Sequence, residues 1–366
     1  MKAVDKDNLI WEGRFLDYEG IRYFDYSASG FHFVLKGKRA ELVVLSDSDS
    51  WEEPNKAVLG IFVTEGTDTD IGAIPEEPTF RVTLRERENH IVLFESDCEK
   101  ILTIRVMKFS EAAFGYAGFK SLEIDGAVVD NSDSAVVEPG ETTGQLKLEF
   151  IGDSITCGYG IEGVWEKDTF TTAQERPDKA YAFLTAKALG AQVQLCSWSG
   201  IGLVSNYVDP ETVNLPDIHW LMQANWPYTD KQLSLKLGLE PEVWDSSRFE
   251  PDIVIINLGT NDISWIRGIE DRRLNYVAQL RHLIEAVHRR SPAAKICCCL
   301  GIMGEALNDS VKEALELFNK DFPSVKTKFL PFAEQLEADG IGADWHPSAV
   351  THKKAAALLT AALRSF

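Results

Sequence analysis

A serine and a histidine far apart in the chain carry the clearest chemistry in this sequence. Ser154 closes the run Gly152-Asp153-Ser154, and His346 stands in Asp344-Trp345-His346-Pro347. A serine hydroxyl is a weak nucleophile until a neighbouring base takes its proton, and an imidazole with a pKa of roughly 6.5 suits that task near neutrality. The other ring nitrogen then needs an acceptor. Asp344 is the nearest carboxylate in sequence, and a backbone carbonyl is the alternative. The oxygen that becomes negative on an attacked carbonyl needs fixed donors, which the backbone N–H groups of Ser154 and Gly200 and the side-chain amide of Asn261 can supply. Together these residues describe acyl transfer through a serine.

Taken singly, Gly152-Asp153-Ser154 and Gly259-Thr260-Asn261-Asp262 are ordinary turn and cap sequences. Asp153 and Asp262 are read as structural hydrogen-bond partners. His346 competes with His32, His90, His219, His282, His288 and His352, the last three of which fall on expected helices and read as surface or packing residues. Pro347 and Ser348 mark the start of the last helix, whose dipole favours a neutral imidazole. No Cys/His/Asp cluster with ligand spacing accompanies His346, so a metal is not expected. Trp265 and Trp345 flank the proposed site, where an aromatic ring suits either the apolar face of a sugar or core packing. Cys157 and Cys196 read as buried spectators.

These residues need a scaffold that gathers them. Five apolar runs, 146–151, 191–196, 253–258, 295–300 and 325–330, each have the character of a buried parallel strand. Helix-length periodic segments at 179–189, 272–290, 310–319 and 349–363 lie between and after them, which predicts an α/β sheet wound with right-handed crossovers. The Ser154, Gly200, Asn261 and His346 motifs fall just beyond four of the five strands. In open α/β sheets that edge is where ligands bind. The stretch 200–249, with Trp220, Trp226, Tyr228 and Trp244, is a long insertion of the kind that carries function or covers a site.

The preceding part of the chain reads differently. Short β runs at 31–35, 40–45, 57–64, 80–84, 91–94 and 101–107 are separated by turn signals such as Lys36-Gly37-Lys38 and Glu65-Gly66-Thr67, as in a sandwich or jelly roll. Leu102, Ile104 and Val106 alternate with Thr103, Arg105 and Met107 as a half-buried strand requires. Residues 131–145 are rich in Ser, Asp, Glu, Pro, Thr and Gly and read as a linker. The expected organisation is therefore a β-sandwich domain over 1–130, the linker, and an α/β domain over 146–366.

The chain has 366 residues, 45% of them hydrophobic and 26% charged, an ordinary globular composition of a length that suits two domains. A formal charge of −20 with no basic patch opposes phosphate backbones and anionic lipid, so neither nucleic acid nor a membrane is an expected partner. Neutral sugars are unopposed. Residues 1–13 hold no apolar signal-peptide core, and no run reaches membrane-spanning length. Three consecutive cysteines, Cys297, Cys298 and Cys299, lie in a strand-like run and read, with Cys98, Cys157 and Cys196, as buried thiols. A cytoplasmic location is the expectation, and a homo-oligomer is compatible with the sequence.

The blocks Gly152-Asp153-Ser154, Gly200, Gly259-Thr260-Asn261-Asp262 and His346 resemble those of the SGNH, or GDSL, hydrolase superfamily. With Gly13-Arg14, Ser27-Ala28-Ser29-Gly30-Phe31, Glu111-Ala112-Ala113-Phe114-Gly115 and the surroundings of Ser154 and His346, nearly the whole chain is similar to carbohydrate esterase family 2. The resemblance implies a β-sandwich (jelly roll) followed by a flavodoxin-like, three-layer hydrolase domain with a five-stranded parallel sheet. It implies removal of acetyl groups from xylan, mannan or their oligosaccharides, with a leaning toward 6-O-acetyl sugars, and no metal or organic cofactor. By match, Ser154 is the nucleophile, His346 the base, and Gly200 and Asn261 oxyanion donors. The wider superfamily places its acid three residues before the histidine, where this chain has Ala343. Asp344, two before, matches family 2, some of whose members work with a Ser-His dyad. Two other readings use the same residues: a short-chain lipase or thioesterase, and a carbohydrate-binding protein that has lost catalysis, against which the presence of every chemical residue counts.

Overall fold

A computed structural model describes residues 1–129 and 145–366 of the chain. All but the last residue of the expected linker lies outside the described residues.

Nine antiparallel strands make the N-terminal sheet: β1 (Lys2–Val4), β2 (Ile10–Glu12), β3 (Leu16–Tyr18), β4 (Ile21–Phe24), β5 (Gly30–Leu45), β6 (Val58–Glu65), β7 (Phe80–Thr83), β8 (Glu88–Lys108) and β9 (Ala117–Val128). Their order is β3-β4-β9-β5-β8-β6-β7, with β1 added on β9 and β2 on β5. The sheet curls, as a sandwich should, around Phe31, Phe33, Leu35, Leu42, Leu59, Ile61, Leu102, Ile104, Val106 and Leu122. Two long strands carry it. The Lys36-Gly37-Lys38 turn signal lies inside β5, where a register shift between Gly37 and Arg39 bends one continuous strand. A Cβ at Gly37 would stand 2.3 Å from the Asp125 carbonyl oxygen, so the glycine permits a close approach of strands and not a reversal. The expected runs 91–94 and 101–107 are likewise one strand, β8.

The second sheet is wholly parallel: β10 (Lys147–Gly152), β11 (Gln192–Ser197), β12 (Ile253–Asn257), β13 (Lys295–Leu300) and β14 (Thr327–Pro331), in the order β11-β10-β12-β13-β14. This is the flavodoxin-like order, with its switch point between the first two strands and the rest. Helices α1 (Ser154–Cys157), α2 (Tyr181–Leu189), α3 (Met222–Asn225), α4 (Lys231–Lys236), α5 (Thr260–Ile266), α6 (Glu270–Arg290), α7 (Asn308–Asp321) and α8 (Ala349–Arg364) follow the strands or lie in the insertion. Alternate strand residues face opposite layers. Ile151, Val254, Ile256 and Cys298 pack with α6 and α7, and Phe150, Ile253, Ile255, Cys297 and Cys299 with α2 and α8. This period of two is why unbroken apolar runs form the strands. All six cysteines are free thiols, and Cys98, expected to be buried, is exposed on β8.

The two sheets share a core. Val58, Phe62, Met107 and Phe109 of the N-terminal part pack into the same cluster as Tyr181, Phe183 and Ala186 of α2. Arg14 crosses to β10, donating to Glu149 at 2.8 Å and to the carbonyls of Trp226 at 2.6 Å and Tyr228 at 2.5 Å. Desolvating such a pair costs several kcal/mol. The three acceptors at the two terminal nitrogens of the guanidinium offset part of that cost, and they tie β10 and the insertion to the N-terminal sheet. Among the described residues no helix is long and apolar enough to cross a membrane.

Candidate active site

Register places the site. Gly152, the last residue of β10, stands beside Ser197 of β11 and Asn257 of β12. Ser154, Gly200 and Asn261, each a few residues further on, therefore leave the sheet at one edge, around its switch point. A Cβ on Gly152 would fall 2.0 Å from Thr156 Oγ1, so only glycine allows α1 to start so sharply. Asp153 caps that helix through Ile155 N–H at 3.0 Å. Burial pushes the Asp153 carboxyl up to about 7, which suits its place inside the turn.

His346 arrives from the far end of the chain. Its Nε2 lies 2.8 Å from Ser154 Oγ. Its Nδ1 lies 3.1 Å from the backbone carbonyl of Asp344. A carbonyl oxygen only accepts, so Nδ1 carries the proton and Nε2 is left as the acceptor for the serine hydroxyl. Burial pushes the imidazole down to about 4, so the ring is neutral at neutral pH. Ser348 caps α8 just beyond, accepting from Thr351 N–H at 3.4 Å.

Of the two acceptors the sequence allowed for the ring nitrogen, the structure has a backbone carbonyl there and not the carboxylate of Asp344. Asp344 and Trp345 both take left-handed conformations, with φ of 49° and 64°, and this reversal turns the Asp344 carbonyl back toward the imidazole. The carboxylate points away and accepts from the Tyr159 hydroxyl at 2.8 Å. The loop is pinned by Gly342 N–H to the His346 carbonyl at 2.8 Å and by Ala343 N–H to the Gly160 carbonyl at 3.0 Å. Tyr159 lies 4.3 Å from the His346 ring and stacks on Phe170 at 3.7 Å, holding the imidazole plane from one side.

The loop that carries Gly200 follows β11. Gly200 is left-handed, with φ 75°, and nothing stands within 4 Å of where a Cβ would be, so its face is open. Asn261 Nδ2 donates to the Ile201 carbonyl at 2.8 Å, which fixes the amide beside that loop while a second N–H remains on the same nitrogen. Asp262 Oδ1 accepts the N–H groups of Leu203, Val204 and Ser205 at 2.9, 2.7 and 3.1 Å. It secures the loop and takes no other visible part.

Of the two tryptophans expected at the site, Trp345 is 40% exposed and pairs edge-on with Trp165, whose ring is 5.5 Å away. Trp265 packs against the α6 layer, with the Arg272 guanidinium 4.6 Å over its ring. Only Trp345 presents an open face. Tyr159, Trp165 and Phe170 were not singled out from the sequence. The glycines on either side of Tyr159, just beyond Ser154, were the available signal for the first. Among the described residues no group of three or more His, Cys, Asp or Glu side chains is placed to hold a metal.

A flavodoxin-like parallel sheet with a hydrogen-bonded serine and histidine at its C-terminal edge defines the SGNH class of fold and site. The chain belongs to the GDSL-like Lipase/Acylhydrolase family, whose profile matches residues 150–354. It is similar to the cellulase/esterase CelE of Acetivibrio thermocellus, 30% identical over 374 residues, covering 100% of this chain and 40% of that protein. It thus spans about two fifths of that relative's length. It is also similar to an acetylxylan esterase / glucomannan deacetylase of Cellvibrio japonicus, 28% identical over 293 residues, covering 80% of this chain and 74% of the relative. Among solved structures, a family two carbohydrate esterase from Clostridium thermocellum in complex with cellohexaose superposes with a TM-score of 0.78 at 28% identity, covering 98% of each chain. That match takes in the N-terminal sheet as well as the hydrolase part.

Proposed function

We propose that this chain is a carbohydrate acetyl esterase that removes O-acetyl groups from hemicellulose-derived saccharides through an acyl-enzyme. The observation that carries the reading is the 2.8 Å contact of Ser154 Oγ with His346 Nε2. In this reading Ser154 Oγ attacks the acetyl carbonyl as its proton passes to Nε2, and the oxyanion is received by the N–H groups of Ser154 and Gly200 and the amide of Asn261. The imidazolium returns the proton to the departing sugar oxygen. Water, activated by the same ring, then releases acetate. The Asp344 carbonyl orients the ring, so the site works as a dyad.

The similarity to carbohydrate esterases and the exposed Trp345 support a sugar substrate. Xylan or mannan oligosaccharides, with 6-O-acetyl positions favoured, are the substrates proposed, and the six free thiols support a reducing, cytoplasmic setting. The test is acetate release from acetylated xylo- and manno-oligosaccharides by the wild-type chain and by Ser154→Ala. Release by the first and loss in the second, with faster turnover of p-nitrophenyl acetate than octanoate, is expected. Retained turnover in Ser154→Ala, or a preference for the octanoate, would overturn the reading.

A further inference from the structure

Glu111 leaves the N-terminal sheet just after β8 and is fully buried. Hydrogen bonds fix it, among them Phe114 N–H to its carbonyl at 3.2 Å. Its N–H donates to Glu175 Oε2 at 2.8 Å. Its carbonyl accepts from the buried Lys108 ammonium at 3.1 Å. Its own Oε2 accepts the backbone N–H of Ser199. Ser199 is the residue before Gly200, and the plane of the Ser199–Gly200 peptide sets the direction of the Gly200 N–H. Glu175 is tied in turn to the serine helix, because the next residue, Arg176, donates its N–H to the Gly158 carbonyl at the end of α1, at 3.0 Å.

We infer that Glu111 is a positioning residue for the oxyanion loop, supplied by the N-terminal sheet: by holding the Ser199 N–H, one peptide earlier, it anchors the backbone from which the Gly200 N–H is presented to the acyl oxygen. The inference rests on the esterase reading. A donor aimed poorly at the developing charge loses most of its worth, since its contribution depends on being fixed before the reaction. The N-terminal sheet therefore does more than cover the hydrolase core. Burial pushes the Glu111 and Glu175 carboxyls above the usual range, Glu175 also through the charge of Glu111. Glutamine keeps an acceptor oxygen at position 111, so it is an adequate substitute if that oxygen is what matters.

The experiment uses the full chain and its Glu111→Ala, Glu111→Gln and Glu111→Leu variants, with kcat and KM for acetate release and a thermal melt for each. Glu111→Ala is expected to lose on the order of 10²-fold in kcat with KM within about threefold, and Glu111→Gln to restore kcat to within about threefold of wild type. If the alanine chain does not fold, Glu111→Leu, which fills the space without an acceptor, is read by the same criteria. A folded alanine or leucine variant with near wild-type kcat overturns the inference, as does a glutamine variant as slow as alanine. Failure of both apolar variants to fold also overturns it, since the role is then structural. Wild-type protein that releases no acetate would instead end the esterase reading itself.

Discussion

His346 is oriented by the backbone carbonyl of Asp344, 3.1 Å from its Nδ1, while the carboxylate of the same residue serves Tyr159. The carbonyl fixes tautomer and ring direction as a carboxylate would. It supplies less stabilisation to the imidazolium, because it carries only a partial charge. Tyr159 recovers part of the positioning by lying against the ring.

Asp344→Asn therefore tests the dyad. Its carbonyl is unchanged and its side-chain oxygen can still accept from Tyr159, so kcat should fall by no more than about fivefold, against roughly 10⁴-fold where a carboxylate holds the ring. Steady-state kinetics on p-nitrophenyl acetate would show which value holds.

The pH profile follows from the neutral ring. The base works only unprotonated, and burial holds His346 down to about 4. The value of kcat/KM should stay level from about pH 5 to 8 and fall roughly tenfold per unit below about 4. An acid limb centred at 6.5 would mean that the imidazole is solvated in the free enzyme.

Arg14 is predicted to matter for stability without touching the chemistry. Arg14→Ala strands Glu149, a buried carboxylate on β10 that also receives Gln194 Nε2 at 3.1 Å and Trp226 Nε1 at 3.2 Å. Breaking a buried pair from one side costs about 3 to 5 kcal/mol. Urea unfolding should show that loss, and a change under 1 kcal/mol would contradict the account of the junction.

Trp345→Ala separates sugar binding from acyl transfer. Loss of an exposed stacking face should raise KM for an acetylated oligosaccharide about tenfold with kcat within threefold, and leave p-nitrophenyl acetate turnover nearly unchanged. Equal losses on both substrates would place the ring in the chemistry.

The parallel sheet was legible because its central strands β10, β12 and β13 are buried on both faces and so read as unbroken apolar runs. The strand at 295–300 matches β13 to the residue, and the loops that follow the strands hold the motifs. The antiparallel part was legible only in class. In β8, Glu95 to Lys100 are mostly solvent-exposed, so the alternation that marks a strand vanishes in its middle. β9 was not foreseen, its pattern broken by Gly118 and Gly126. At the site, residue types on the strand-following loops were enough to suggest Ser154, His346, Gly200 and Asn261 as candidates. The roles of Glu111 and Tyr159 depend on contacts across the fold, and the turn of the Asp344 carbonyl depends on a left-handed φ that no spacing encodes.

The central claim is that Ser154 is a nucleophile made reactive by His346. Intact-protein mass and peptide mapping after treatment with a fluorophosphonate test it without any assumption about the sugar. A single adduct on Ser154, formed by the wild-type chain and slowed at least 10³-fold in a folded His346→Ala variant, is the predicted result. No adduct on Ser154, or one that forms as fast without the imidazole, would contradict it.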